Sequence, residues 1–522
     1  MSRLLLDGWH VVLGIETHAQ IKSRQKLFSS ASTSLLTHPA NTTYNVVDAA
    51  FPGTLPNLNL KCLRLALRAS LALNCDIQRR SSFDRKHYFY SDLPSGYQIT
   101  QQYAAIATNG YLTLPTLGRK VRIKQIQMEQ DTAKSIFDPR TRTSLIDLNR
   151  AGTGLLEIVT EPDLQSPDEA AEYVRALQAT LRAVGASDGN MDTAGQLAAT
   201  GSMRCDVNVS IHRPGEPFGT RCEIKNLNSV KFMIAAINCE IVRQKALLMS
   251  SCNVPQETRG FDHHRWDTYK LRSKEDAPEY RYMPDPNLGI LHVSEAQIQQ
   301  VKDSLPALPD ALRKRLIDTY EPSGVTQIDI DVLMGLDTGR DIGYDGEDNI
   351  NLDETTRQDT DVSAVTYFET VCADKNRDPK NVINWILHSL HGQLSTLDKT
   401  FTSKHITPCQ LGELIDLVAS NSITRPSGKL LLRHMLTDPS ITPETSIRQL
   451  AIKLNLISMS SSEDDLQSVC MRAVEALPNE VAALRAGHHN VVNKIVGWVI
   501  KETRGRADAK TVRETVIDLV KS

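Results

Sequence analysis

The chain has 522 residues, a formal net charge of −3 and an ordinary apolar share of 40%. That length exceeds one ordinary domain and predicts two to four. The near-zero charge excludes nucleic-acid binding by global charge alone, so any such contact needs a local patch. The nine cysteines form no CxxC pair. Their odd count and irregular spacing argue against a zinc site or a disulfide framework and for a reducing compartment. No apolar run approaches the length of a membrane span. The start, MSRLLLDGWHVVLGIE, enters a predicted strand almost at once and leaves no room for a full presequence.

The first predicted strand is HVVLGIETHAQIK. Val11, Leu13, Ile15, Ala19 and Ile21 fall on one face by period-2 alternation; Gly14, Glu16, His18, Gln20 and Lys22 fall on the other. Such a polar face is usually just solvated. A carboxylate and an imidazole two residues apart on a rigid strand can also ligate a metal or share proton work. The stretch RKHYFYSDLPSGYQITQQY (85–103) packs four tyrosines around Lys86, Asp92 and a Pro-Ser-Gly turn. It reads equally as a half-buried loop or as a surface that stacks on a base or ribose.

More two-faced strands follow. In LLEIVTEP, Leu156 and Ile158 alternate with Glu157 and Glu161. In SMRCDVNVSIHR, Met203, Cys205, Val207, Val209 and Ile211 alternate with Arg204, Asp206, Asn208, Ser210 and His212. In TRCEIKN, Cys222 and Ile224 alternate with Arg221, Glu223 and Lys225. SPDEAAEYVRALQATLRAVG predicts a helix, with Ser166 as N-cap, Pro167 at the first helical position, Glu169 completing a capping box and Gly185 as the stop. Its buried stripe is Val174, Leu177, Leu181 and Val184. NSVKFMIAAINCEIVRQKALL predicts a second helix, with Val230, Met233, Ile234, Ile237 and Ile241 on one side. The fold class predicted is α+β. An antiparallel sheet has one dry face backed by helices and one charged, concave face. An all-α region and a helical tail follow.

We place the cradle domain at 1–294, a helical region at 295–399 and the tail at 400–522. Residues 337–361 hold nine acids, two arginines and few apolar residues, which predicts a disordered or loosely held insertion. DIGYDGEDN within it fails as a calcium loop, with Gly343 and Leu352 at ligand positions. SGKLLL (427–432) lacks the glycine and hydroxyl of a P-loop. Residues 488–522 carry seven Lys or Arg against four acids, and a solvated helix face accounts for so mild an excess.

What remains is a dispersed polar constellation: Glu16, His18, Glu129, Asp131, Glu157, Arg204, Asp206, Glu223 and Lys225. Carboxylates with one histidine suit a hard divalent ion, and Arg and Lys suit phosphate. The residues alone reach as far as metal-assisted chemistry on a phosphorylated or carboxylated ligand.

Seven motifs in order carry a resemblance. They are GIETHAQIKSRQKLFS, FPGTLPNLN, RKHYFYSDLPSGYQITQ, SLIDLNRAGTGLLEIVTEPDLQSPDEA, GSMRCDVNVSIHR, GTRCEIKNLNS, and QETRGFD followed by RSKEDAPEYRYMPDPNL. Together they resemble the B subunits of glutamyl-tRNA(Gln) amidotransferases, and the tail KIVGWVIKETRGRADAKTV looks similar too. The resemblance implies a ligase that uses ATP and magnesium to phosphorylate the glutamyl side chain of misacylated Glu-tRNA(Gln). Ammonia released from glutamine by an amidase A subunit then forms the amide, and a small third subunit completes the complex. It implies Glu16, His18, Glu129 and Glu157 as metal ligands, with Glu16, His18, Glu157 and Lys225 as the catalytic set. Among the cofactor-binding residues it implies, Lys86, Tyr88 and Tyr90 become nucleotide or acceptor-end contacts, Arg204, Asp206 and Glu223, with Lys225, hold phosphates or metal-bound water, and the tail becomes a tRNA-binding domain. Where the family reads Glu-Glu-Asp-Ala-Gly-Lys, this chain has Glu129, Gln130, Asp131, Thr132, Ala133 and Lys134. The loss of one acid puts the strength of the metal site in question and leaves a tRNA-holding scaffold as the rival reading. The insertion and divergent loops resemble a fungal mitochondrial form, so the mitochondrial matrix is the expected location and bacterial cytoplasm the alternative.

Overall fold

The computed structural model describes residues 8–521 except 34–37, 117, 192–201, 274–278, 340–341, 347–361, 375–376, 459–462, 486–488 and 504. The chain divides into two compact units, Met1–Leu312 with Asp341–Asn351, and Arg313–Arg340 with Leu352–Ser522.

The first unit is built on a nine-stranded sheet. In chain order its strands are β1 (His10–Gln20), β2 (Asp76–Ile77), β3 (Ala107–Thr113), β4 (Lys120–Gln130), β5 (Gly154–Thr160), β6 (Met203–His212), β7 (Cys222–Leu227), β8 (Glu257–Asp262) and β9 (Asp267–Ser273). Across the sheet they run β9-β8-β7-β6-β1-β5-β4-β3-β2. Every neighbour is antiparallel except β7 and β8. The α+β class and the antiparallel sheet are as the alternation predicts. β1, the first strand of the sheet along the chain, lies at its centre.

The dry face follows the sequence pattern. Val11, Leu13, Ile15, Ala19 and Ile21 of the first predicted strand are buried, as are Leu156, Ile158 and the apolar set of β6. They share one core with the inner sides of α1 (Leu60–Ala72), α2 (Pro167–Ala183) and α3 (Val230–Met249). Thr17 is the exception on that face. It is fully buried, and its hydroxyl lies 3.6 Å from Cys205 Sγ.

Helix α2 starts and stops where its caps predict. Ser166 accepts from Glu169 N at 3.1 Å, Val174, Leu177, Leu181 and Val184 are buried, and Gly185 takes φ +69°. The capping box forms only by half. Glu169 Oε2 turns instead to Gln165 N, at 2.8 Å, and to Arg119 Nη2. A charged guanidinium is a stronger partner than the N-cap amide. In α3, Met233, Ile237 and Ile241 are buried, while Val230 and Ile234 pack half-buried against the same core.

A smaller antiparallel sheet, Met283–Pro284, Asp84–His87 and Tyr97–Thr100, sets Lys86 opposite Gln98. Much of the acidic stretch 337–361 lies outside the described residues. Its described turn near 345 is held firmly rather than loosely. Asp345 Oδ1 accepts from Ser23 Oγ at 2.9 Å and Arg24 N at 3.0 Å, Oδ2 pairs with Lys61 Nζ at 3.0 Å, and the Asp345 amide donates to Lys22 O at 2.8 Å. One buried carboxylate with polar partners thus anchors a segment poor in apolar side chains.

The second unit is helical among the described residues. SGKLLL lies inside the helix Arg425–Thr437, which ends any phosphate-loop reading. NVINWILHSLHGQL forms Pro379–Asn384 and His391–Thr396 joined through a π-helical turn, Trp385–Leu390. A separate core within this unit gathers Leu466, Cys470, Val492, Ile495, Val499, Val512 and Val516. Among the described residues no helix is long and apolar enough to cross a membrane.

Candidate active site

In an antiparallel pair, residues directly opposite each other point to the same face. The register places Glu16 opposite Asp206, His18 between Arg204 and Glu157, and Glu157 opposite Gln127. Four neighbouring strands therefore project their polar sets onto one surface.

At its centre, one ligand atom each from Glu16, His18 and Glu157 lies within 4.8 Å of the others. His18 Nε2 is 3.5 Å from Glu16 Oε1. Glu129 lies beside the trio rather than in it, its Oε2 3.7 Å from Lys86 Nζ. Lys225 reaches Asp206 at 2.7 Å and Glu223 at 3.2 Å. Arg204 and Arg150 approach Asp131 at 3.4 and 3.6 Å.

The electrostatics are those of crowded carboxylates. Burial pushes the Glu157 carboxyl well above the usual range, Glu129 and Glu16 push it further, and Lys86 with Gln127 only partly offset them. Burial alone would lower Lys86, but Glu129 and Glu157 outweigh it and hold the ammonium above its ordinary value. Asp206 is the opposite case. Burial works to raise it, yet Lys225 and His18 hold it below the usual range.

The cluster fits a divalent cation. Two carboxylates and an imidazole converge, a third carboxylate stands adjacent, and Lys86 offsets the crowding at Glu157 only in part. Among the described residues, His18 Nδ1 and Glu129 Oε2 are buried without hydrogen-bond partners. Oxygen with one imidazole is a donor set for magnesium or manganese.

Tyr88 and Tyr90 divide in character. Tyr88 OH donates to Gln98 Oε1 at 3.0 Å, whereas Tyr90 is largely exposed, its ring edge-on to Tyr88 at 5.7 Å. Gln130 faces away from the trio. Its Oε1 accepts from Ile99 N at 3.4 Å, and it lines a cavity of about 250 Å³ with Phe51, Asp92, Asp131 and Thr132. Sequence reasoning missed Gln98, Gln127, Arg150, Tyr280 and Tyr282. Tyr280 lies under the Lys86 ammonium, 5.1 Å from ring centre to nitrogen, and Tyr282 is edge-on to it at 5.9 Å. The one usable signal was for Gln127, two residues before Glu129 on β4; Gln98 lies on Tyr97–Thr100, a strand with no acid to mark it.

Comparison with known proteins gives the class first. Residues 11–299 match the family model described as GatB/GatE catalytic domain, and residues 366–520 the one described as GatB domain. The chain is 55% identical over 531 residues to the mitochondrial glutamyl-tRNA(Gln) amidotransferase B subunit of Laccaria bicolor, covering 98% of this chain and 92% of the relative. It is 37% identical to the mitochondrial B subunit of Homo sapiens, covering 97% and 87%. It is 38% identical to the aspartyl/glutamyl-tRNA(Asn/Gln) amidotransferase B subunit of Rickettsia bellii, covering 97% and 96%. The chain belongs to the family of B subunits of the glutamyl-tRNA(Gln) amidotransferases.

Proposed function

We propose that this chain converts tRNA-bound glutamate to glutamine in two steps on its charged sheet face, in mitochondria, where its fungal and animal relatives are named as residing. The γ-carboxylate of Glu-tRNA(Gln) attacks the terminal phosphorus of ATP, ADP leaves, and an acyl phosphate forms. Ammonia, released from glutamine by an amidase A subunit in a complex with a small third subunit, then attacks the acyl carbon, and phosphate departs. A carboxylate is a poor electrophile, and phosphorylation supplies the leaving group.

The observation that carries this reading is the convergence of Glu16, His18 and Glu157 within 4.8 Å on rigid neighbouring strands. With Glu129 they would hold magnesium, which would supply charge neutralisation between the phosphates and the attacking carboxylate. Lys86 keeps its charge through Glu129 and Glu157 and is placed to bind phosphate oxygens. Lys225, oriented by Asp206 and Glu223, serves the same end from the other side, with Arg204 nearer the trio, opposite His18. Tyr88 and Tyr90 offer ring faces to a base or ribose. Gln130, the one hint of a decayed site, makes its bond outside the trio.

The test is reconstitution. With the amidase partner, Glu-tRNA(Gln), glutamine, magnesium and ATP, the expected result is Gln-tRNA(Gln), and omission of ATP is expected to leave the glutamate unchanged. Glutamine hydrolysis without any change in the tRNA-bound glutamate, ATP present, overturns the reading.

We assign the cradle to residues 1–294, a helical connection to 295–399, and tRNA binding to the tail, 400–522. Lys501, Lys510 and Arg513 are exposed there. Reversing all three to glutamate is expected to weaken tRNA binding at least about tenfold and to flatten its salt dependence, because each lost phosphate contact removes released counterions. Glutamine hydrolysis by the partner stays unchanged. Filter binding across a salt series checks this, and an unaltered slope removes the tail from tRNA binding.

A further inference from the structure

Two carboxylates at the site are each gripped by a buried amide. Gln127 Nε2 donates to Glu157 Oε2 at 2.7 Å and to Thr100 Oγ1 at 3.2 Å, and Gln125 Nε2 fixes its other end at 2.6 Å. Gln98 Nε2 donates to Glu129 Oε1 at 2.7 Å and to the Gln130 carbonyl at 2.6 Å, while its Oε1 accepts from Tyr88 OH. Gln98 and Gln127 are 4% and 2% exposed. Each carboxylate thus has one oxygen committed to an amide that is itself held at both ends. For Glu129 the other oxygen, Oε2, is the buried atom without a hydrogen-bond partner among the described residues.

We propose that Gln98 and Gln127 are positioning residues that restrict Glu129 and Glu157 to ligation through one oxygen, and so make the site select magnesium or manganese over calcium. This rests on the reading that the cluster holds a divalent ion. Magnesium needs near-octahedral geometry at about 2.0–2.1 Å, which single oxygens satisfy. Calcium takes more oxygens at longer range and commonly draws both oxygens of one carboxylate. An oxygen that already accepts an amide hydrogen is turned toward that amide, so bidentate ligation by Glu157 or Glu129 must bend or weaken its bond to Gln127 or Gln98. Weakening it leaves a buried amide hydrogen poorly satisfied. The selectivity then resides in the partners of the ligands, which fix orientation.

The test is calorimetric titration of the full chain with manganese and, separately, with calcium. The wild-type protein is expected to bind manganese at least about tenfold more tightly than calcium. In Gln98→Leu and Gln127→Leu, manganese affinity is expected to fall about 10- to 100-fold and calcium affinity less, narrowing the ratio at least about tenfold in the double variant. An unchanged ratio, whether the two affinities hold or fall together, overturns the proposal. Should leucine unfold the chain, Gln98→Met and Gln127→Met keep length and volume, remove only the amide and carry the same test. A wild-type chain that binds neither ion refutes the divalent-ion reading and the clamp with it. A wild-type chain that binds while its variants keep the ratio refutes the clamp alone.

Discussion

Replacing His18 with alanine is expected to lower conversion of Glu-tRNA(Gln) to Gln-tRNA(Gln) by at least about 100-fold, since changing even the partner of a metal ligand typically costs 10- to 100-fold. The reason lies in position. His18 is the only imidazole in the trio, it sits on the central strand, and its register pairs it with Glu157 on one side and Arg204 on the other. Alanine leaves the strand and its dry face in place, so the loss falls on the site and not on the fold. tRNA affinity is expected to stay within about threefold, because phosphate contacts dominate it. The measurement is a pair: rate of amide formation and tRNA binding on the same preparation. Undiminished amide formation removes His18 from the site. Equal loss of both turns the residue into a structural one.

Glu240→Leu is expected to destabilise the first unit by about 3–5 kcal/mol, the cost of breaking a buried charge cluster by removing one member. Glu240 lies in α3 with no exposure and accepts from Arg243 at 2.6 and 2.9 Å and from Gln244 at 2.8 Å, with Arg259 at 3.3 Å. Leucine fills the volume but leaves two guanidinium groups competing for Glu257, which already holds Arg259 at 2.7 Å. Glu240→Gln keeps the shape and some acceptor capacity and is expected to fall in between. Urea midpoints report both. If neither midpoint moves by the equivalent of about 0.5 kcal/mol, the ordinary range for surface changes, the cluster contributes nothing to stability.

The alternation of β1 and β6 was readable because a half-buried strand must repeat every two residues, and both faces came out as the pattern required. Glu16, His18 and Glu157 were likewise visible as polar positions on such strands. That they converge was not visible, since register joins residues far apart in the chain. Gln98 and Gln127 escaped because a strand glutamine looks the same whether it is solvated or grips a carboxylate. Glu169 misled for a related reason. Its spacing from Ser166 was right for a capping box, but Arg119, distant in sequence, offered the better partner. Asp345 shows the same limit, since nothing in an acidic stretch marks the one carboxylate that becomes buried.

The central place of β1 also bears on how the chain is made. Its Thr17 meets Cys205 across 188 residues of sequence, and His10 pairs with His212. During synthesis this strand emerges first among those of the sheet and waits for both neighbours, its row of Val11, Leu13 and Ile15 open to solvent. Long-range pairing of this kind is slow and leaves sticky surface available to other chains. The strand that carries Glu16 and His18 is therefore the one most in need of chaperone cover until β6 has been made.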